Sequence, residues 1–238
     1  MRRTLLIALV AGAALGGCVA RVGTLPASDA TAPESFPDQV YRQGAARGDA
    51  ILVVDPAASL VAIEVRRAGS LARLGHDHVI ASHDVHGYVW PKGGRADLYV
   101  RLDRLVVDEP DLRRVAGFDS EPSSDAIAGT RHNMLEKTLD ADRFPFAVIA
   151  VRGVDRTAFD VDMPPQRDID VSITLHGALR SLRVPVALER SGDALQVSGT
   201  LTLAQTAFGI TPLSVLGGAI QVQDQVDVRF RIRANPPH

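Results

Sequence analysis

Four histidines and two aspartates fall within eleven residues, in Leu74-Gly75-His76-Asp77-His78 and Ser82-His83-Asp84-Val85-His86. Positions i and i+2 of an extended strand share a face. His76 and His78 therefore offer two nitrogens to Zn²⁺ or Cu²⁺, with His86, His132 or His176 to complete the sphere. The same nitrogens suit a second chemistry, hydrogen bonding to the oxygens of a quinone or phosphate head group, for which Arg131, His132 and Asn133 are further candidates. A third reading is structural, with the histidines hydrogen-bonded at the mouth of a sheet. Ser82-His83-Asp84 has the composition of a catalytic triad without its geometry, because neighbours on a strand point to opposite sides and do not relay a proton. The sequence holds no Gly-x-Ser-x-Gly elbow, phosphate-binding loop or dinucleotide fingerprint, and no enzyme is expected.

The elements that must carry these side chains are strands. From about Asp49 to Arg233 the chain runs as short apolar stretches of period two, bounded by Gly, Pro and Asp. Val61, Ile63 and Val65 share one face, as do Ala96, Leu98, Val100 and Leu102. Ile169, Val171, Ile173 and Leu175 lead through a turn over Gly177 to Ser181 into Leu182, Val184, Val186 and Leu188, which reads as a hairpin. Leu195, Val197, Leu201 and Leu203 are expected to pair with a last strand bearing Val226, Val228, Phe230 and Ile232. With 51–54, 83–90 and 146–151 added, about eight or nine strands result. The one good helical stretch is Ser124 to Leu139, with Ser123 or Ser124 as cap and Ile127, Met134, Leu135 and Leu139 on one side; it is expected to lie across the β domain.

Strands that are each apolar on one face call for a closed barrel or a sandwich, since an open sheet leaves a wet apolar face and two bare edges. Barrel closure is preferred. Strands of about ten residues tilted near 40° give a barrel about 25 Å tall, narrow enough to be filled by side chains or to hold one extended ligand. Periodicity does not distinguish these two interiors. The sole tryptophan, Trp90, reads as a core or rim plug ahead of a ligand-stacking ring.

Composition removes other classes. The 238 residues are 46% hydrophobic and 23% charged, which excludes disorder along the whole length. Lys plus Arg number 26 against 28 Asp plus Glu, so there is no basic excess to hold nucleic acid. The single cysteine, Cys18, cannot form an internal disulfide. It ends a segment with Arg2 and Arg3 at its start, an apolar run from Leu5 to Leu15 too short to span a bilayer, and small residues before the cysteine. This resembles the bacterial lipobox. Residues 1–17 are thus expected to be a lipoprotein signal peptide, Cys18 to be acylated, and Val19, by lipoprotein sorting rules, to direct the protein to the periplasmic side of the outer membrane. Residues 18–48, rich in Ala, Gly, Pro, Ser and Thr without an apolar period, read as a flexible tether, and 49–238 as one β domain.

Several segments resemble the YceI-like family: Val53-Val54-Asp55-Pro56 followed by Ser59-Leu60-Val61-Ala62-Ile63; Leu139-Asp140-Ala141-Asp142-Arg143-Phe144-Pro145; Ile173-Thr174-Leu175-His176-Gly177; and Phe208-Gly209-Ile210 with Asp224-Gln225-Val226. The resemblance spans roughly 50–233. It implies an all-β fold, an antiparallel eight-stranded lipocalin-like barrel with one helix packed across it, that binds a polyisoprenoid or quinone-like lipid with no required cofactor. On that reading the ligand is lined by Val61, Ile63, Val65, Leu98, Val100, Ile173, Leu175, Leu182, Val184, Phe208 and Ile210. Its head group lies near His76, His78 or His132. The alternative is a His-rich metal-binding or redox-linked periplasmic protein with His76 and His78 as ligands.

Overall fold

In the computed structural model, which describes Leu25 and residues 32–118, 120–154 and 166–237, the alternating strands close into a ring. Strand β1 has two segments, Leu52–Val54 and Leu60–Val65, separated by a 3₁₀ turn, Pro56–Ala58. Asp55 caps that turn by accepting the Ala57 N–H. Strand β2 (His78–Ser82 and Val85–Trp90) is interrupted at His83 and Asp84, and β3 (Arg95–Arg101 and Val106–Val107) by a second 3₁₀ turn, Leu102–Arg104. Strands β4 (Phe146–Val151), β5 (Gln166–Leu175), β6 (Ala178–Ser191), β7 (Ala194–Ala204) and β8 (Gln225–Asn235) run unbroken. Each strand pairs antiparallel with the next. Strand β8 then pairs with both segments of β1, through Val54↔Ala234 and Val61↔Phe230, so eight strands form a closed meander barrel. Closure leaves the ring without free edges.

The interruptions are in register. Val61 opposes Ser82 while Leu52 opposes Val89, and Ile80 opposes Val107 while Val85 opposes Val100. Three adjacent strands therefore break at one level, and the barrel divides there into two halves. In one half Leu52, Val89, Ala96, Val151, Val171, Val184, Leu195 and Ala234 follow one another around the ring and fill it as a close-packed core. Each such side chain is worth about 1.5–3 kcal/mol on burial.

The β5–β6 connection is tighter than expected: it consists of His176 (φ 51) and Gly177 (φ 73) alone, and the strand resumes at Ala178. Two left-handed residues are what a type I′ turn requires. This is the physical content of the Leu175-His176-Gly177 motif. A Cβ on Gly177 would also meet the Phe144 ring at 2.8 Å.

Three α-helices, rather than one, occur among the described residues. Helix α3, Ser124–Asn133, is capped by Ser123 and continues as a π-helical turn, Met134–Thr138. It lies across the barrel with Ile127, Met134 and Leu139 against the core. Helix α2, Pro110–Ala116, starts on proline and ends at Gly117 in the left-handed conformation. Helix α1, Asp38–Ala46, corrects the expected tether. Tyr41, Gly44 and Ala45 form a buried side that covers the outward Tyr88 of β2, with the Tyr41 and Tyr88 rings stacked at 4.9 Å. Leu25, Phe36, Ile51 and Trp90 complete this external cluster. Beneath it Asp97, on the outer face of β3 and buried, accepts from the Tyr41 hydroxyl and pairs with Arg95 and Arg152. Residues 1–24 and 26–31, which include the expected signal and Cys18, lie outside the described residues.

Candidate ligand cavity

The other half of the barrel is hollow. A cavity of about 320 Å³ opens at the end where β1, β5 and β7 finish and β2 and β8 begin. Ile63, Ile80, Leu175, Leu203 and Val228 form its barrel wall. Met134 and Leu139 of the α3 segment close one side, and Phe208, Ile210 and Ile220 another. Most of the lining is aliphatic.

Its polar lining includes Thr138, Gln205 and Gln221 and one linked group around His78. Arg67, His76, His78 and Thr130 line the cavity, with the two imidazole rings 6.2 Å apart. Arg67 is fixed by donating to the Gly75 carbonyl at 2.7 Å, and its own backbone N–H donates to Asp77 Oδ1. His78 Nδ1 lies 2.6 Å from Asp108 Oδ2. The Asp108 side chain is fully buried and also receives the Val79 N–H and Arg113 Nη1. Arg113 is tied in turn to the Asp77 and Ser120 carbonyls. Burial opposes ionisation of Asp108. The hydrogen bonds from His78, Val79 and Arg113 outweigh it and hold this carboxyl below its ordinary value. An ionised carboxylate only accepts, so Nδ1 of His78 carries a proton. Nε2 is left facing Thr130 Oγ1 at 3.3 Å and the cavity.

Of the residues expected around a ligand, Ile63, Val65, Leu175, Phe208, Ile210, His76 and His78 line the cavity. Leu98, Val100 and Val184 instead belong to the filled core, against which Val61, Ile173 and Leu182 pack. They face inward as read, but at the wrong height. His132 is outside the lining, mostly exposed, and pairs with Glu136 at 2.7 Å. Trp90 packs on the outer wall against Gly44 and Gly93, neither plugging the barrel nor meeting the cavity.

The histidines expected to complete a metal site are dispersed. His86 pairs with Asp84 and stacks on Tyr99 outside the barrel, and His176 sits against Phe144. Among the described residues no group of three or more His, Cys, Asp or Glu is placed to hold a metal ion. Ser82 is buried and accepts the Asp84 N–H, while His83 pairs with Glu109. Sequence reading missed Arg67, Thr130 and the 213–222 segment of the lining, because these come from a helix and from strand pieces of two or three residues, too short for period two to show. It also missed Asp108, whose left-handed backbone (φ 60) turns its carboxylate toward His78.

The YceI-like domain model matches residues 53–234. Among solved structures, a polyisoprenoid binding domain from Saccharophagus degradans implicated in plant cell wall breakdown superposes with a TM-score of 0.57 at 14% identity, covering 79% of this chain and 99% of that one. Burkholderia cenocepacia BcnA superposes with a TM-score of 0.50 at 14% identity, covering 76% and 98%. No curated protein matches the sequence. The family match takes in the whole barrel from its first strand to its last, and the chain belongs to the YceI-like family.

Proposed function

We propose that this protein is a non-catalytic lipid carrier that holds a long apolar amphiphile, a polyisoprenoid or quinone-like lipid, with its hydrocarbon in the hollow half of the barrel and its polar head beside His76, His78 and Arg67. The observation that carries this reading is the cavity itself: about 320 Å³, mostly aliphatic, with a few polar side chains that include the paired His76 and His78. Small-molecule sites share that character, an apolar enclosure with a few placed polar groups. Each CH₂ transferred from water gains about 0.8 kcal/mol, so a few prenyl carbons offset the cost of ordering the chain. The description of the Saccharophagus degradans relative as a polyisoprenoid binding domain supports the same ligand class.

The carrier is further proposed to be acylated on Cys18 after loss of residues 1–17 and held at the periplasmic side of the outer membrane. The order of positive start, short apolar run, small residues and cysteine supports this. Native mass spectrometry after mild extraction should find a copurifying lipid, and intact-mass analysis of the membrane fraction should find the acyl mass on a chain starting at residue 18. Repeated recovery of an empty domain that takes up no added prenyl lipid overturns the first reading, and an unmodified soluble chain overturns the second.

A further inference from the structure

The cavity mouth is rimmed by two loops that the fold locks together. Val222 pairs with Arg67, Gln221 with Ala68 and Val215 with Ile220, in a small three-stranded sheet outside the barrel. Leu71 N–H donates to the Ala219 carbonyl at 2.8 Å. The approach at Gly69 is so close that a Cβ there would stand 2.5 Å from the Ala219 oxygen. From this fixed rim three large apolar side chains reach solvent: Leu74 is 60% exposed, Val215 45% and Leu216 71%. Val215 belongs to the cavity wall as well, so at that residue the apolar rim meets the interior.

Two further observations point to what covers it. Leu216 holds a left-handed backbone (φ 54), a conformation that branched side chains rarely adopt. Glycine would sit there unstrained, as Gly217 does next to it. The chain instead carries a leucine directed into water. The charge pattern is equally uneven. The loop through 209–223 has no charged residue, while in 66–77 Arg66 pairs with Glu64 and Arg67 with Asp77, leaving Arg73 exposed one residue before Leu74. Apolar tips beside an exposed arginine, Arg73, match a lipid–water interface, where leucines enter the acyl boundary and cations meet anionic head groups.

We propose that this rim is a membrane-docking surface: Leu74, Val215 and Leu216 enter the interfacial layer of a bilayer containing anionic phospholipid, with Arg73 beside the head groups, so that the cavity mouth is applied to the lipid. An apolar ligand then passes between bilayer and barrel without crossing water. That purpose rests on the carrier reading; the docking itself needs no ligand.

The test uses the full chain with Cys18→Ser, so that no acyl group anchors it, and a single Leu216→Cys position labelled with an environment-sensitive NBD dye. Vesicles of phosphatidylcholine mixed with phosphatidylglycerol should give a blue shift and a several-fold rise in emission, weaker with phosphatidylcholine alone and weakened by salt. A label at Val115→Cys, on α2 and 65% exposed, should not respond. With the label moved to Val215→Cys, a Leu74→Asp/Leu216→Asp double change should lower vesicle affinity about tenfold or more with an unchanged circular dichroism spectrum. No response at 216, an equal response at 115, or a vesicle-independent change that grows with protein concentration, which means that a second copy covers the rim, overturns the proposal. A lipid-filled cavity with no vesicle response defeats the docking surface alone, and vesicle docking by a persistently empty barrel defeats the carrier reading alone.

Discussion

His78 Nδ1 and Asp108 Oδ2 stand 2.6 Å apart, one at the cavity wall and the other wholly enclosed. The carboxylate fixes Nδ1 as the protonated nitrogen of the ring, so Nε2 is the atom that faces the cavity, as a lone pair whenever the ring is neutral. A hydroxyl head group is matched by that acceptor, and protonation of the ring converts it into a donor suited to a quinone or phosphate oxygen.

Replacing Asp108 with Asn should destabilise the fold by about 3 kcal/mol or more at pH 7, because the Arg113 guanidinium, itself buried, loses its counter-charge. The native carboxyl titrates below its unfolded value near 3.9, so its stabilisation is present above that pH and is lost as pH falls through the depressed value. Urea unfolding should show the wild-type advantage at pH 7 shrinking below about pH 4. A gap that stays constant into acid contradicts the assignment.

The docking of α1 should fail in alkali. Burial, reinforced by the hydrogen bond to Asp97, raises the Tyr41 hydroxyl pKa; burial and the bond to Asp38 push Tyr88 up to about 12. A raised phenol contributes stability below its unfolded value of about 10 that disappears as pH climbs toward the folded one. For Tyr88 this amounts to about 2–3 kcal/mol lost between pH 10 and 12. Denaturant midpoints followed across that range check it, and Tyr41→Phe with Tyr88→Phe should flatten the curve.

The two halves of the barrel should respond differently to mutation. Leu195→Ala, in the filled half and 2% exposed, should cost about 2–5 kcal/mol, since its neighbours cannot collapse around the space. Ile63→Trp, in the cavity wall, should keep the fold near wild-type stability while excluding lipid. Thermal melts paired with extraction of bound lipid separate these outcomes. Loss of lipid in both variants without loss of stability in either speaks against a divided interior.

Gly177→Val should destabilise the β5–β6 hairpin by more than about 1 kcal/mol, because both its left-handed φ and the Phe144 ring reject a branched side chain. Gly192, equally left-handed but with nothing near its Cβ position, is the control: Gly192→Ala should cost less. Equal losses at the two positions locate the effect in φ alone.

Much of the barrel was legible because alternation reports inside against outside directly. The expected pairing of the strand bearing Leu195, Val197, Leu201 and Leu203 with the strand bearing Val226, Val228, Phe230 and Ile232 is observed, with Leu203 opposite Val226, Leu201 opposite Val228 and Val197 opposite Ile232. Alternation is silent about height along the barrel axis. Val61 and Ile63 are indistinguishable by pattern, yet only Ile63 reaches the cavity. Helix α1 was hidden by composition: Tyr41, Gly44 and Ala45 make a helical side in a stretch otherwise typical of a linker, and the outward Tyr88 that needs covering is distant in sequence. Asp108 and Arg113 look like surface charges until the fold encloses them with His78.

The seam between β1 and β8 sets Val53 opposite Asn235. The domain's first and last strands thus meet side by side at the packed pole, across the molecule from the portal. Joining them with a few residues and reopening the chain at the Gly192 bend gives a circular permutant whose lipid entrance is untouched. A partner fused directly after β8 therefore starts at the pole away from that entrance.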